Sequence, residues 1–140
     1  YALMSNGTFG FLAVTGLKTR SQLKGYARRQ PMLALAFAAL LFSLGGVPPT
    51  GGFVAKLLVL WQAVGAELLG PVLVAAIAAL VSLGYYLALV RDLYFEEPLE
   101  EVPSPDGTAS RLLVLACACG SLVLGAAPLL LKNLAGAFWP

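Results

Sequence analysis

Charge is scarce in this 140-residue chain: Asp, Glu, Lys and Arg make up 11% of it, against roughly 25% in a soluble domain. That scarcity excludes an ordinary water-exposed globular surface. Histidine is absent, which argues against haem, copper and most zinc sites in this segment. Cysteine is limited to Cys117 and Cys119. Two positions apart on a helix, they point to roughly opposite faces. They can neither clasp one metal nor pair with each other, and they read as small packing residues. No nucleophile stands beside a base, and no glycine-rich phosphate loop follows a strand. The five basic residues of segment 18–30 lie between apolar runs. Membrane orientation explains them better than nucleic-acid binding does.

What the chain does have is apolar sequence, 59% of its residues. Segments 32–55, 72–90 and 112–131 exclude charge for about the 20 residues a bilayer crossing needs. Segment 1–17 is a fourth apolar run, slightly short. It has no initiator Met, basic start or cleavage site, so it is not a signal peptide. It reads as the end of a helix that begins earlier. The expected fold is therefore all-α: the C-terminal part of a polytopic membrane protein, with one membrane domain over residues 1–140. Partner helices and lipid are its expected surroundings.

Within that domain the pattern predicts the end of one helix over 1–17 and a polar loop over 18–30. Pro31 suits a first helical position, where its missing N–H costs nothing. A Gly/Pro-broken helix follows over 31–67, then helices over 71–95 and 109–138. The break comprises Gly45, Gly46, Pro48, Pro49, Gly51 and Gly52. Proline removes donors and clashes in a helix, and glycine weakens it. Each half of 31–67 has about 16 residues, roughly 24 Å long, short of the roughly 30 Å hydrocarbon core. If the halves form one crossing, loops 18–30 and 96–107 share a side, and seven of the nine Lys and Arg lie there. The positive-inside rule makes that side cytoplasmic. Arg91, Asp92, Glu96 and Glu97 then form a solvated interface, and the helix over 109–138 carries the C-terminus to the periplasmic side, with a kink at Pro128.

Lys56 is the one ionisable side chain between Pro31 and Ala66. A lysine beside a broken apolar helix matches how transporters build a proton-binding site at membrane depth. The bland alternative is a lysine snorkelling to the interface, but its stem reaches only about 6 Å of a roughly 15 Å half-thickness. Glu67 lies eleven residues on, three turns, on roughly the same helical face. It is either an exit-side proton acceptor or an interfacial carboxylate. Ser43, Thr50, Ser82 and Tyr85 could hold relay waters or simply make interhelical hydrogen bonds.

The run Leu41-Phe42-Ser43-Leu44-Gly45-Gly46-Val47-Pro48-Pro49-Thr50-Gly51-Gly52-Phe53-Val54-Ala55-Lys56 resembles the LSLAGIPPTAGFxGKF signature of the antiporter-like subunits of respiratory complex I. Among these it is most similar to the N-type subunit of bacterial NADH:quinone oxidoreductase. Tyr1-Ala2-Leu3-Met4, with Gly7 and Phe9-Gly10, is similar to the preceding helix of that family. Ser82 with Tyr85-Tyr86-Leu87 and Tyr94 resembles the helix that follows. Ala55 and Leu57 depart from the usual Gly and Phe, and the lysine is kept.

The resemblance implies a fourteen-helix subunit with two inverted five-helix repeats. This chain would supply the end of helix eleven, a discontinuous helix twelve, and helices thirteen and fourteen. It implies a proton-translocating, non-redox subunit of a bacterial inner membrane, relaying protons past Lys56. No cofactor or metal is expected in this chain: NADH, FMN, iron–sulfur clusters and quinone would bind other subunits. The partners implied are neighbouring membrane subunits of the complex, antiporter-like ones included. A subunit of a multisubunit cation/proton antiporter with the same scaffold is the alternative. A membrane anchor whose lysine merely pairs with a neighbour's carboxylate is a third reading.

Overall fold

A computed structural model describes residues 1–97 and 108–126, and these form helices and turns with no strand among them. The helices are α1 (Ala2–Thr15), α2 (Arg20–Leu23), α3 (Pro31–Gly45), α4 (Gly51–Gly65), α5 (Leu69–Phe95) and α6 (Thr108–Ala126). A 3₁₀ turn, Tyr26–Arg28, joins α2 to α3. Among the described residues only α5 is both long and apolar enough to cross a bilayer unaided; α3 and α4 are apolar but shorter.

Local chemistry accounts for the ends of these elements. Gly16 closes α1 in the left-handed conformation (φ 66°), which costs glycine no steric penalty. Pro31 is the first residue of α3. Gly46 closes α3 with φ 81°, its N–H reaching back to Phe42 and Ser43. The Val47 N–H also donates to the Phe42 carbonyl at 2.9 Å, a Schellman-type ending. Thr50 has an extended backbone and opens α4. The non-helical break is thus residues 46–50, narrower than the 45–52 stretch expected. Gly45 is the last residue of α3, and Gly51 and Gly52 are the first two of α4. The Pro48–Pro49 bond is cis. The second half of the broken helix also ends earlier than expected, at Gly65 instead of residue 67. The continuation of α6 towards residue 138, the kink at Pro128 and segment 98–107 lie outside the described residues.

The core centres on α3. Phe11 stacks on Phe37 (centroids 4.0 Å apart, planes at 15°), and Tyr26 meets Phe11 edge-on at 5.6 Å. Around them pack Leu33, Leu40 and Leu41 of α3, Leu93 of α5, and Val114, Cys117 and Ala118 of α6. Cys119 is exposed, so the two cysteines do face apart. By contrast, Gly52 is the only buried residue in α4, and Asp92 and Leu93 are the only two in α5.

α5 runs back along both short helices. Gly45, ending α3, faces Leu83 and Tyr86. Ala55, Lys56, Val59 and Leu60 of α4 face Ala75, Ala78, Ala79 and Ser82. The C-terminal half of α5 therefore lies against α3 and its N-terminal half against α4. The two short helices succeed one another along a single partner.

Segment 18–30 is tied to the C-terminal end of α5. The Gly25 N–H donates to the Asp92 carbonyl at 3.0 Å. Arg20 Nε donates to the Asp92 carboxylate at 2.5 Å, and Lys24 Nζ lies 3.5 Å from Glu96. The basic loop and the start of the acidic loop thus share one end of the bundle, as the charge distribution implied. Asp92, however, is no solvated interface residue: its side chain is 1% exposed. Burying a carboxylate demands a partner, and Arg20 and Arg91 supply two.

The hydrogen bond from the Arg20 guanidinium holds the Asp92 carboxyl below the usual carboxylate range; burial opposes this and Arg91 reinforces it. A depressed carboxylate stabilises the fold fully above its unfolded value of about 3.9 and loses that contribution as pH falls through the folded value. Arg20→Ala should therefore speed amide hydrogen exchange in segment 18–30 at neutral pH. Acidification below the ordinary carboxylate range should loosen the same segment in the wild type. In Asp92→Asn that acid-dependent loosening should be absent, as read by hydrogen exchange corrected for intrinsic rates.

Candidate functional site

The break leaves the last carbonyls of α3 and the first amides of α4 without helical partners. Two side chains fill these vacancies from opposite ends. Lys56, on the second turn of α4, points back towards the helix start, as side chains on a helix do. Its Nζ donates to the Leu44 carbonyl at 2.8 Å and to the Gly45 carbonyl at 3.1 Å. These carbonyls form the negative end of the α3 dipole. Lys56 is half-buried and makes no ion pair among the described residues. Its ammonium is held by a helix end in place of a carboxylate.

From the other end, Ser43 on the last turn of α3 accepts the Gly52 N–H at 3.1 Å. Ser43 is fully buried, and its hydroxyl also lies 2.6 Å from Ser121 Oγ and 2.8 Å from Met4 Sδ. Thr50, also buried, donates to the Val47 carbonyl at 2.7 Å and so closes the break upon itself. Pro48 and Pro49 are exposed on this chain's surface.

Lys56 lies in an open groove of about 450 Å³ between α4 and α5, lined by Ala55, Val59, Leu60, Ala75, Ala78, Ala79 and Ser82. The Ser82 hydroxyl donates to the Ala78 carbonyl at 2.7 Å, leaving its lone pairs towards further partners. Of the candidate relay residues, the structure brings Ser82 into the lysine's groove and sets Ser43 and Thr50 at the break. Tyr85 lies elsewhere. It lines a separate groove between α1, α3 and α5 with Arg20, and meets Tyr86 edge-on at 5.8 Å. Glu67 does not continue the Lys56 face either. The helix ends at Gly65, and Glu67 sits exposed in the following turn with φ 60°. No group of His, Cys, Asp or Glu among the described residues could hold a metal.

Ser121 and Met4 were missed by sequence reasoning. A lone serine in an apolar helix gives no sign of its partner, and a methionine sulfur gives less. A polar residue on an otherwise small-residue stretch (Cys117 to Gly120) was the available signal.

Residues 1–84 match the family model described as NADH:quinone oxidoreductase/Mrp antiporter, TM. The chain belongs to this family. It is 38% identical to the NADH-quinone oxidoreductase subunit N of Cupriavidus taiwanensis over 96% of its own length and 28% of that protein's. It is 37% identical to subunit N 1 of Thermodesulfovibrio yellowstonii, covering 94% of itself and 29% of that relative. Its fold matches a chain of respiratory complex I from Thermus thermophilus with bound aureothin. The TM-score is 0.82 at 33% identity, over 91% of this chain and 30% of that one. The chain thus spans less than a third of the length of these relatives. It has the all-α architecture of an antiporter-like membrane subunit, and its N-type likeness extends through α6, beyond the residues the family model matches.

Within this family member the break tolerates little added volume. A Cβ at Gly52 would run into the Ser43 carbonyl oxygen, and one at Gly125 would run into the Pro49 carbonyl oxygen and Thr50. Backbone cannot yield as a flexible side chain does. Overpacking typically costs about 1–3 kcal/mol, and a collision with backbone should reach the upper end. Gly52→Ala and Gly125→Ala should each lower the amount of assembled subunit in detergent-solubilised membranes on native gels.

Proposed function

We propose that this chain is the C-terminal part of an N-type antiporter-like subunit of NADH:quinone oxidoreductase, and that Lys56 relays protons within it. The supporting observation is the placement of the Lys56 ammonium on the Leu44 and Gly45 carbonyls at a helix break. A charge at such a position is costly in a bilayer and marks ion pathways. Backbone freed by a broken helix is tolerated there only when protein or water satisfies it. In this reading α3, the break and α4 make one discontinuous crossing, and the Arg20–Asp92 end faces the cytoplasm of a bacterium. The C-terminus then lies on the periplasmic side. Ser82 offers a hydroxyl for a relay water in the lysine's groove, and Glu67 lies further along on the exit side.

The redox chemistry belongs elsewhere in the complex. NADH, FMN, iron–sulfur clusters and quinone are assigned to other subunits, and quinone reduction drives the proton step here through neighbouring membrane subunits. The family model also spans Mrp antiporters, so a subunit of a cation/proton antiporter is the second reading. The N-type relatives favour the first. Co-purification with NADH dehydrogenase activity separates the two.

Cysteines placed at Ser21 and Glu97 should react with an impermeant maleimide from the same side of the membrane. Reaction from opposite sides would refute a single crossing between them and the α4–α5 turn.

Lys56→Ala should abolish most proton pumping attributable to this subunit while the complex still assembles, because water entering the open groove can take over the Leu44 and Gly45 carbonyls. Lys56→Arg should impair pumping too, since guanidinium stays protonated and cannot release its proton. Proton uptake per NADH oxidised in reconstituted vesicles, beside a native-gel assembly check, measures both. Full pumping by an assembled Lys56→Ala complex would overturn the relay.

A further inference from the structure

Ser121 of α6 is buried, and it reaches the break from a helix beyond the residues that the family model matches. Its Oγ lies 2.6 Å from Ser43 Oγ. The Ser43 hydroxyl has one proton to donate and two lone pairs. The Gly52 N–H fills one lone pair at 3.1 Å, Ser121 fills the other, and the Ser43 proton goes to Met4 Sδ at 2.8 Å. In that arrangement the hydroxyl is saturated, and three separate elements fix it: α1, α4 and α6.

Two of these elements, α4 and α6, are held at close range by missing side chains. A Cβ on Gly51 would stand 3.0 Å from the Ser121 carbonyl oxygen, and Gly125 packs against the backbone of Pro49 and Thr50. Small residues let helix backbones approach this closely. The first turn of α4 is therefore gripped between α3 and α6, while no residue of α4 after Gly52 is fully buried. Lys56 lies four residues after Gly52, one turn on along the same face. What fixes Gly52 fixes the origin of the lysine side chain, and so its reach to the Leu44 and Gly45 carbonyls.

We propose that Ser121 is a positioning residue for Lys56, acting through Ser43 and the first turn of α4. The Ser121 hydroxyl touches neither the ammonium nor its groove. It keeps Ser43 in the orientation that accepts the Gly52 N–H, and thereby keeps the two halves of the broken helix in register. The inference rests on the relay reading of Lys56. Without Ser121, the last turn of α3 and the first turn of α4 keep a bond, but the bond loses its third anchor.

The test uses the full-length subunit in the intact complex, reconstituted into vesicles. Ser121→Ala should assemble, oxidise NADH with an unchanged KM, and deliver fewer protons per NADH. Ser121→Thr keeps the hydroxyl and should restore much of that yield. A Ser43→Ala/Ser121→Ala double variant should lose no more than Ser43→Ala alone, because both act on one contact. Unchanged proton yield in Ser121→Ala overturns the proposal. Equal loss in assembled Ser121→Ala and Ser121→Thr also overturns it, since packing and not the hydroxyl would then matter. If Ser121→Ala fails to assemble, Ser121→Cys is read in its place, having similar size and a weaker donor: reduced yield supports the proposal and full yield overturns it. Lys56→Ala is measured alongside. Full pumping there would sink the relay itself, whereas loss there with none in Ser121→Ala would sink only the positioning role.

Discussion

Backbone polar groups that leave a helix in an apolar medium must find partners within the protein, because lipid offers none. The five residues between α3 and α4 create that problem, and most of the local structure answers it. The Gly46 and Val47 amides turn back onto α3, and the Thr50 amide closes on Val47 at 3.0 Å. The Gly52 amide is met by a serine hydroxyl, and the Leu44 and Gly45 carbonyls by an ammonium. Lys56 is thus part of the structure of the break, since its ammonium completes the end of α3.

The two sides of the break are held unequally. Among the described residues α3 carries the most buried side chains, packed against Phe11 of α1 and the buried face of α6. α4 is gripped at its first turn and then runs with apolar side chains exposed, Leu57, Leu58, Val59 and Trp61 among them. A firm helix end therefore presents carbonyls to a lysine carried on a lightly held helix. Local opening free energies follow buried contact, so α4 beyond its first turn is held less firmly by the described residues than α3. At the opposite end of the bundle, Asp92 and its arginines pin the basic loop to α5 and set where α3 begins.

Much of this was legible from one dimension. The scarcity of charge and the apolar runs pointed to membrane helices. Pro31 marked a helix start through a φ preference that is a property of a single residue. The break and its lysine were readable for the same reason: glycine, proline and charge act locally. Legibility failed where an element ended early or a partner came from afar. Glu67 was placed on the Lys56 face by assuming a helix that stops two residues sooner. Asp92 was read as solvated because its neighbours Arg91 and Glu96 are charged, and a helix end rich in charge normally faces water.

The sequence by itself determined the class of fold, the position of the break and the identity of its one cation, because hydropathy and backbone preference are written residue by residue. Only the tertiary structure decided what those features touch. The Ser43–Ser121 contact joins residues 78 apart and the Arg20–Asp92 pair residues 72 apart. No periodicity carries information over such separations. Packing alone selects which of several chemically equivalent serines, arginines and carboxylates come within hydrogen-bond distance, since a buried polar group is stable only with the partner that the folded helices deliver to it.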